Sequence, residues 1–426
     1  MRTGDGDPTE EIDELLEEEE GPFDDSPPPK SRRLSDAQLE SLYDTETFRI
    51  VTQRNDFLIP NLIQSMKEQP YLNLTPPYQR RLRWDNKRKS RLIESLLMNV
   101  PIPPVFLFET ELAQYEVVDG QQRLATIREF FNNEFVLSGL ERWKDLNGRR
   151  FNRLPHRIQS GLRRRSLAGV ILLAESGATQ GDQENTQREI KRFVFERLNT
   201  GGVRLNAQEI RNAVYDGPFN HLLHELSRDG LFTSIWDIPP RERDEDAQAS
   251  PQLRKNTYYR KMLDCEIVLR FFTLSEPDKL ATSMKASLDS TMHRYGSSSR
   301  EELETMRGNF MDCLNTAHDI YGDATFRLLP ETRARRAPRR RLSRPLYDAV
   351  IVGIFNTIRD KTGDSRADAR QRLKDAGSLI VAQTESALGD SANYELLVGR
   401  PNTKTSILQR IDLLTTICAH AVESLG

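Results

Sequence analysis

The sequence predicts an α+β protein. A first region mixes short strands and helices (α+β or α/β by pattern alone), and a mainly α-helical region follows, behind an acidic N-terminal tail. Three observations carry this. β-Rich runs such as "VFLFE", "YEVVD" and "LAGVILLAE" alternate with amphipathic stretches between residues 45 and 220. From 221 to 426 the strand signals fade and apolar residues recur at helical spacing. Residues 1–44 are acidic, proline-rich and nearly free of aromatics. Such a composition buries too little to offset its ordering entropy, so disorder is expected there.

The elements follow in order. "TFRIV" reads as a first strand and "FLIPNLIQSMKEQ" as a helix. "LNLTPPYQRRLRW" is an extended loop, because Pro76 and Pro77 exclude regular helix. "NKRKSRLIESLLMN" sets Leu92, Ile93, Leu96 and Leu97 against Lys87, Arg88 and Arg91, an amphipathic helix. "VFLFE" and "YEVVD" are strands and "QQRLATIREFF" is a helix. "FVLSG" is an expected edge strand and "LPHRIQSGLRRR" a short basic helix. "LAGVILLAE" reads as a strand buried on both faces. "TQREIKRFVFERLN" is a helix stopped by "TGG". "NAQEIRNAVY" starts another, with Asn206 and Glu209 at capping-box spacing. Five long helical patterns follow, the first of them "YYRKMLDCEIVLRFFTL".

Composition narrows the classes. Hydrophobic residues are 37% and charged residues 29% of the 426, which suits folded cores. The apolar runs are too short to span a bilayer, and the acidic start does not suit a signal peptide, so a cytoplasmic protein is expected. Cys265, Cys313 and Cys418 are widely spaced and read as buried, reduced thiols. His221 and His224 stand one turn apart, a spacing that could hold a metal, but no third ligand accompanies them.

The chemistry concentrates at "DGQQR", where a strand turns into a helix. A helix N-terminus offers unpaired N–H groups and partial positive charge to anions. Gly120 admits a ligand close to the backbone. Gln121 and Gln122 suit hydrogen bonds to phosphate, ribose or base, and Arg123 carries a fork suited to phosphate. Asp119 suits Mg²⁺ held partly through water, or simply a helix cap. A lysine-bearing phosphate loop of the GxxxxGK[ST] type is absent. Arg80, Arg81 and Arg83 lie between Tyr78 and Trp84, a mixture suited to stacking and phosphate contact. The same two aromatics equally suit core anchors. Glu209 reads first as a capping-box partner.

"PPYQRRLRW", "LIESLLMNVPIPPVFLF", "YEVVDGQQRLATIREFF" and "FERLNTGGVRLNAQEIRNA" occur in the order and approximate spacing of the GmrSD restriction endonuclease N-terminal domain family. The chain resembles that family, within the wider ParB/sulfiredoxin-like group, over roughly residues 50 to 220. Ala125 stands where threonine is usual. The resemblance implies a small mixed sheet with flanking helices. It also implies a nucleoside triphosphate site, with Mg²⁺, in a module of restriction or anti-phage defence. By motif, Asp119, Gly120, Gln121, Gln122 and Arg123 come first, with Asp119, Gln122 and Arg123 as the candidate catalytic set. Tyr78, Gln79 and Arg80 come second, and Asn199, Gly202 and Glu209 third. Many relatives carry a His-Asn-His nuclease domain. None of the six histidines here sits in such a context, so DNA cleavage would need a separate nuclease subunit.

"RARRAPRRRLSR", residues 333–344, holds seven arginines. Arg335, Arg336, Arg339, Arg340 and Arg341 suit a DNA backbone; pairing with the acidic tail and plain solvation are the other readings. The residues therefore leave two functions open: an NTP-hydrolysing module, or a non-catalytic or nucleotide-gated DNA-binding protein, either of them compatible with self-association.

Overall fold

A computed structural model describes residues 34–45, 50–67, 71–74, 84–174, 183–198, 206–240, 250–328, 341–359, 363–398 and 403–424. The chain divides into two compact units, Arg32–Val214 and Tyr215–Gly426. The first is α+β and the second mainly helical, as the sequence predicts.

The first unit is built on a mixed five-stranded sheet of order β1-β5-β3-β4-β2. Its strands are β1 (Ile50–Leu58), β2 (Leu72–Asn73), β3 (Val105–Glu111), β4 (Gln114–Asp119) and β5 (Ser166–Ala174). β3 and β4 form an antiparallel hairpin, β5 runs parallel to β3, and β1 pairs antiparallel with β5 along nine residues. Its helices are α1 (Asp36–Thr45), α2 (Ile59–Ser65), α3 (Asn86–Met98), α4 (Gln121–Phe131), α5 (His156–Arg163), α6 (Gln183–Leu198) and α7 (Ala207–Val214). Ile93, Val105, Leu124, Ile127 and Phe130 are fully buried at the centre of one core.

Four details depart from the sequence reading. α1 lies within the stretch assigned to the tail; Gln38 N–H donates to Ser35 Oγ at 3.4 Å, a local helix start. Phe57 and Leu58 belong to β1, so α2 begins at Ile59 with Pro60 in its first turn. "FVLSG" is no strand: Leu137 N–H donates to Arg149 O and Ser138 N–H to Ser90 Oγ, while Phe135 and Leu137 plug the core. β5 is not sealed on both faces, because Ala168 is exposed between buried Leu167 and Gly169.

The Glu94 carboxylate is 4% exposed and caps the chain after that segment, accepting from the N–H groups of Glu141, Arg142 and Trp143 at 2.7–3.2 Å. Burial alone would raise its pKa. The three donors and the Arg142 charge outweigh burial and hold it below the ordinary glutamate value. A depressed carboxylate pKa contributes stability above the unfolded-state value, and that contribution is lost as pH falls through the lowered folded value. Glu94→Gln should therefore cost about 2 kcal/mol at neutral pH. It should also flatten the acid limb of stability, measured by urea unfolding between neutral and acid pH.

The second unit contains α8 (Pro218–Leu226), α9 (Gly230–Ile235), α10 (Pro251–Lys255), α11 (Thr257–Arg260), α12 (Leu263–Leu274), α13 (Met284–Tyr295) and α14 (Arg300–Tyr321). α15 (Arg344–Ile358), α16 (Gly363–Asp375), α17 (Gly377–Gly389), α18 (Ser391–Val398) and α19 (Lys404–Glu423) complete it. Two long patterns break where the backbone turns. "YYRKMLDCEIVLRFFTL" divides at Met262, which adopts φ 56°, and a second divides at Ala376, between α16 and α17. All three cysteines are free and buried, and burial pushes the Cys418 thiol up to about 12. His224 is buried with Nδ1 3.4 Å from Cys265 Sγ, whereas exposed His221 faces Asp216 at 3.5 Å, so the two histidines do not converge.

Candidate functional site

"EVVDGQQR" folds as the end of β4 and the start of α4. Val117 and Val118 are buried, and Asp119 is the last residue of the strand. Gly120 turns the chain with φ +99°, and Leu124 N–H makes the first helical bond, to Gly120 O at 2.9 Å. The N–H groups of Gln121, Gln122 and Arg123 precede that bond, so none has a partner within the helix. Gly120 is required sterically as well: a Cβ would lie 2.5 Å from Val105 Cγ1 and 3.3 Å from Arg123 Nη2.

Arg123 is the hub of the junction. One guanidinium nitrogen pairs with the Asp119 carboxylate, and the other donates to the carbonyls of Pro103 and of Pro104, the latter at 3.2 Å. Its side chain is 11% exposed against 38% for Asp119. Arg123 thus ties the "VPIPP" loop to the helix start. The sequence marks Arg123 as a phosphate fork but gives no sign of these tethers, since backbone carbonyls leave no trace in residue identity.

Two further blocks meet this junction. Trp84, the last residue of "PPYQRRLRW", donates its N–H to Gln122 Oε1 at 3.3 Å. Its ring packs on the core and under the Arg88 guanidinium, 4.9 Å away. Lys191 of α6 pairs with Glu116 of β4 at 2.5 Å, with both side chains about nine-tenths buried. In the sequence its one signal is a glutamate directly before the apolar pair Val117–Val118. Glu209 closes the capping box expected of it, accepting from Asn206 N–H at 2.9 Å while Asn206 Oδ1 accepts from Glu209 N–H at 2.9 Å. Tyr78, Gln79, Arg80, Asn199 and Gly202 lie outside the described residues.

In the helical unit, β6 (Arg327–Leu328) pairs antiparallel with β7 (Arg341–Leu342). This short ladder, unforeseen in the sequence, brackets residues 329–340, which hold most of the arginine-rich run. Arg341 is exposed on it. Arg335, Arg336, Arg339 and Arg340 lie outside the described residues. Arg327 bonds Asp237 at 3.0 Å and, with Asp237, His318 and Asp323, lines a cleft of about 790 Å³. Among the described residues no cluster of three or more His, Cys, Asp or Glu could hold a metal ion, and no helix is long and apolar enough to cross a membrane.

An α+β domain whose central hairpin delivers an Asp-Gly-Gln-Gln-Arg junction is the class that fold and site define. Residues 59–215 match the family model for the GmrSD restriction endonuclease, N-terminal domain. No curated protein and no solved structure matches the chain.

Proposed function

We propose that the first unit is a nucleotide-binding, NTP-hydrolysing module of a DNA-directed restriction system. The family description, which names a restriction endonuclease, supports the context. The observation that carries the nucleotide reading is the start of α4, where a glycine at φ +99°, two glutamines and an Asp–Arg pair gather within five residues at a helix N-terminus.

In this reading the phosphates meet the N-terminus of α4, and Gly120 lets them approach the backbone. Gln121 and Gln122 orient them. Arg123 exchanges Asp119 for a phosphate oxygen, which frees the half-exposed carboxylate. Magnesium suits this donor set only in its usual mode, with one carboxylate and the remaining oxygens from phosphate and water. Asp119 would hold it, and it would neutralise charge on the phosphates. Phosphoryl transfer needs mainly positioning and electrostatics, which these side chains supply in kind.

A second reading rests on the β6–β7 ladder. That ladder flanks the arginine-rich segment, whose arginines suit phosphate contacts that carry no sequence information. The protein is then a DNA-binding adaptor, or a nucleotide-gated one.

The test is thermal melting of the purified protein with each nucleoside triphosphate and Mg²⁺, alongside phosphate release. A ligand at 100 times its Kd should add about 2.7 kcal/mol to the binding unit. Arg123→Ala should lower the unliganded Tm, because the Pro103–Pro104 tether goes, and should abolish the ligand-induced shift. No shift and no release in wild type with any nucleotide ends the nucleotide reading. Duplex DNA titrated at rising salt separates the alternatives: an adaptor shows steeply salt-dependent affinity that nucleotide does not change.

A further inference from the structure

β1 is the outermost strand of the sheet. Its inner side pairs with β5 along all nine residues, Ile50 to Leu58, and no described strand pairs with its outer side. Long, regular edge strands attract further pairing, and proteins ordinarily blunt them with charged side chains, proline, bulges or cover. β1 has no proline, and its ladder with β5 runs without a register shift. Most of its side chains are exposed, Val51 at 38% and Leu58 at 48%.

Its two charges are Arg54 and Asp56. They are two residues apart and therefore lie on one face of the strand. Both are exposed, and among the described residues neither makes an ion pair. Opposite them on β5 stand Val170 and Ala168, which offer no charge. We infer that β1 is a dimerisation edge, and that a second copy of this chain pairs antiparallel with it about a two-fold axis at Asn55.

The charges select that register. A two-fold axis perpendicular to the sheet pairs residues of like parity, and the centres that set the charged positions against themselves or each other are Arg54, Asn55 and Asp56. Centring on Arg54 sets two guanidinium groups opposite each other, and centring on Asp56 sets two carboxylates opposite each other. Centring on Asn55 sets Arg54 opposite the second copy's aspartate and Asp56 opposite its arginine, giving two ion pairs on one face. Directly opposed opposite charges stabilise a ladder and like charges destabilise it. The interface is isologous, so it closes at two copies.

The experiment is sedimentation velocity on the full chain and on Arg54→Asp, Asp56→Arg and the double exchange R54D/D56R. Circular dichroism checks each fold, which the uncharged β5 neighbours should leave intact. Wild type should dimerise. Each single variant opposes like charges twice and should bind itself about 100-fold more weakly or worse. The double exchange should recover the dimer. Mixing the two single variants should also recover it as a heterodimer, because every opposed pair then has opposite sign. A wild type that stays monomeric up to its solubility limit overturns the inference, as do single variants that dimerise like wild type. Failure of the double exchange and of the mixture to recover pairing overturns it as well. None of these outcomes depends on nucleotide, so the proposed activity stands or falls separately.

Discussion

Asp348→Ala should destabilise the helical unit by about 4 kcal/mol. Asp348 is fully buried on α15, and Arg270 of α12 is 1% exposed. The two meet in a bidentate pair, Arg270 Nε to Asp348 Oδ1 at 3.0 Å and Nη2 to Oδ2. Tyr347, next to the aspartate, is buried too and donates its hydroxyl to Ile267 O at 2.9 Å, so polar groups stitch α12 to α15 inside an apolar core. Removing one partner strands the other charge away from water, and that desolvation dominates the loss. Arg270→Met should cost a similar amount. Arg270→Met with Asp348→Leu should recover most of it, because replacing both charges with apolar groups removes the penalty on each side. The coupling in that double-mutant cycle is the quantity to measure. Trp236, fully buried and 5.5 Å from the Tyr347 ring, reports this unit by fluorescence once Trp84 and Trp143 are replaced by phenylalanine. Additive losses in the cycle would show that the pair is not coupled.

That pair spans 78 residues of sequence, and nothing in either local pattern announces it. The legible features were those written over a few adjacent positions. α4 runs from Gln121 to Phe131, the span its periodicity predicts. The Asn206–Glu209 capping box is likewise a three-residue relation that chemistry dictates. "FVLSG" misled because Phe135 and Leu137 alternate as a strand's would, while Leu137 bonds loop backbone at Gly148 and Arg149 and Ser138 N–H donates to the Ser90 side chain. The helix break at Met262 was hidden because a positive φ on methionine has no composition signal. At the candidate site, residue types pointed to the junction itself. The grip of Arg123 on Pro103 and Pro104 was not readable, because its acceptors are backbone atoms about 20 positions away. This grip changes the chemistry asked of Arg123: it can exchange Asp119 for a phosphate only through the nitrogen that the two carbonyls do not hold.

Gly120→Ala should cost about 3 kcal/mol and remove whatever ligand binding the α4 N-terminus supports. Two terms combine. A φ of +99° is one that L side chains rarely adopt, which strains any substitution. The added Cβ would also lie 2.5 Å from Val105 Cγ1. Val105 is fully buried in β3 between β4 and β5, so it has no room to withdraw. Relief requires the β4–α4 turn to move, and with it Asp119, the first N–H groups of α4 and the Arg123 tether. Gly148→Ala provides the control. Gly148 lies in the same unit at φ +79°, but nothing stands within 4 Å of its Cβ position. It should cost only the backbone term, about 1 kcal/mol. Melting of both variants should show Gly120→Ala shifted down by about 6–12 °C and Gly148→Ala by about 2–4 °C. Equal shifts would mean that the Val105 contact yields freely and that the junction is not held rigid. In that case Gly120 matters for its dihedral alone, and a ligand at the helix start would meet a turn able to move aside.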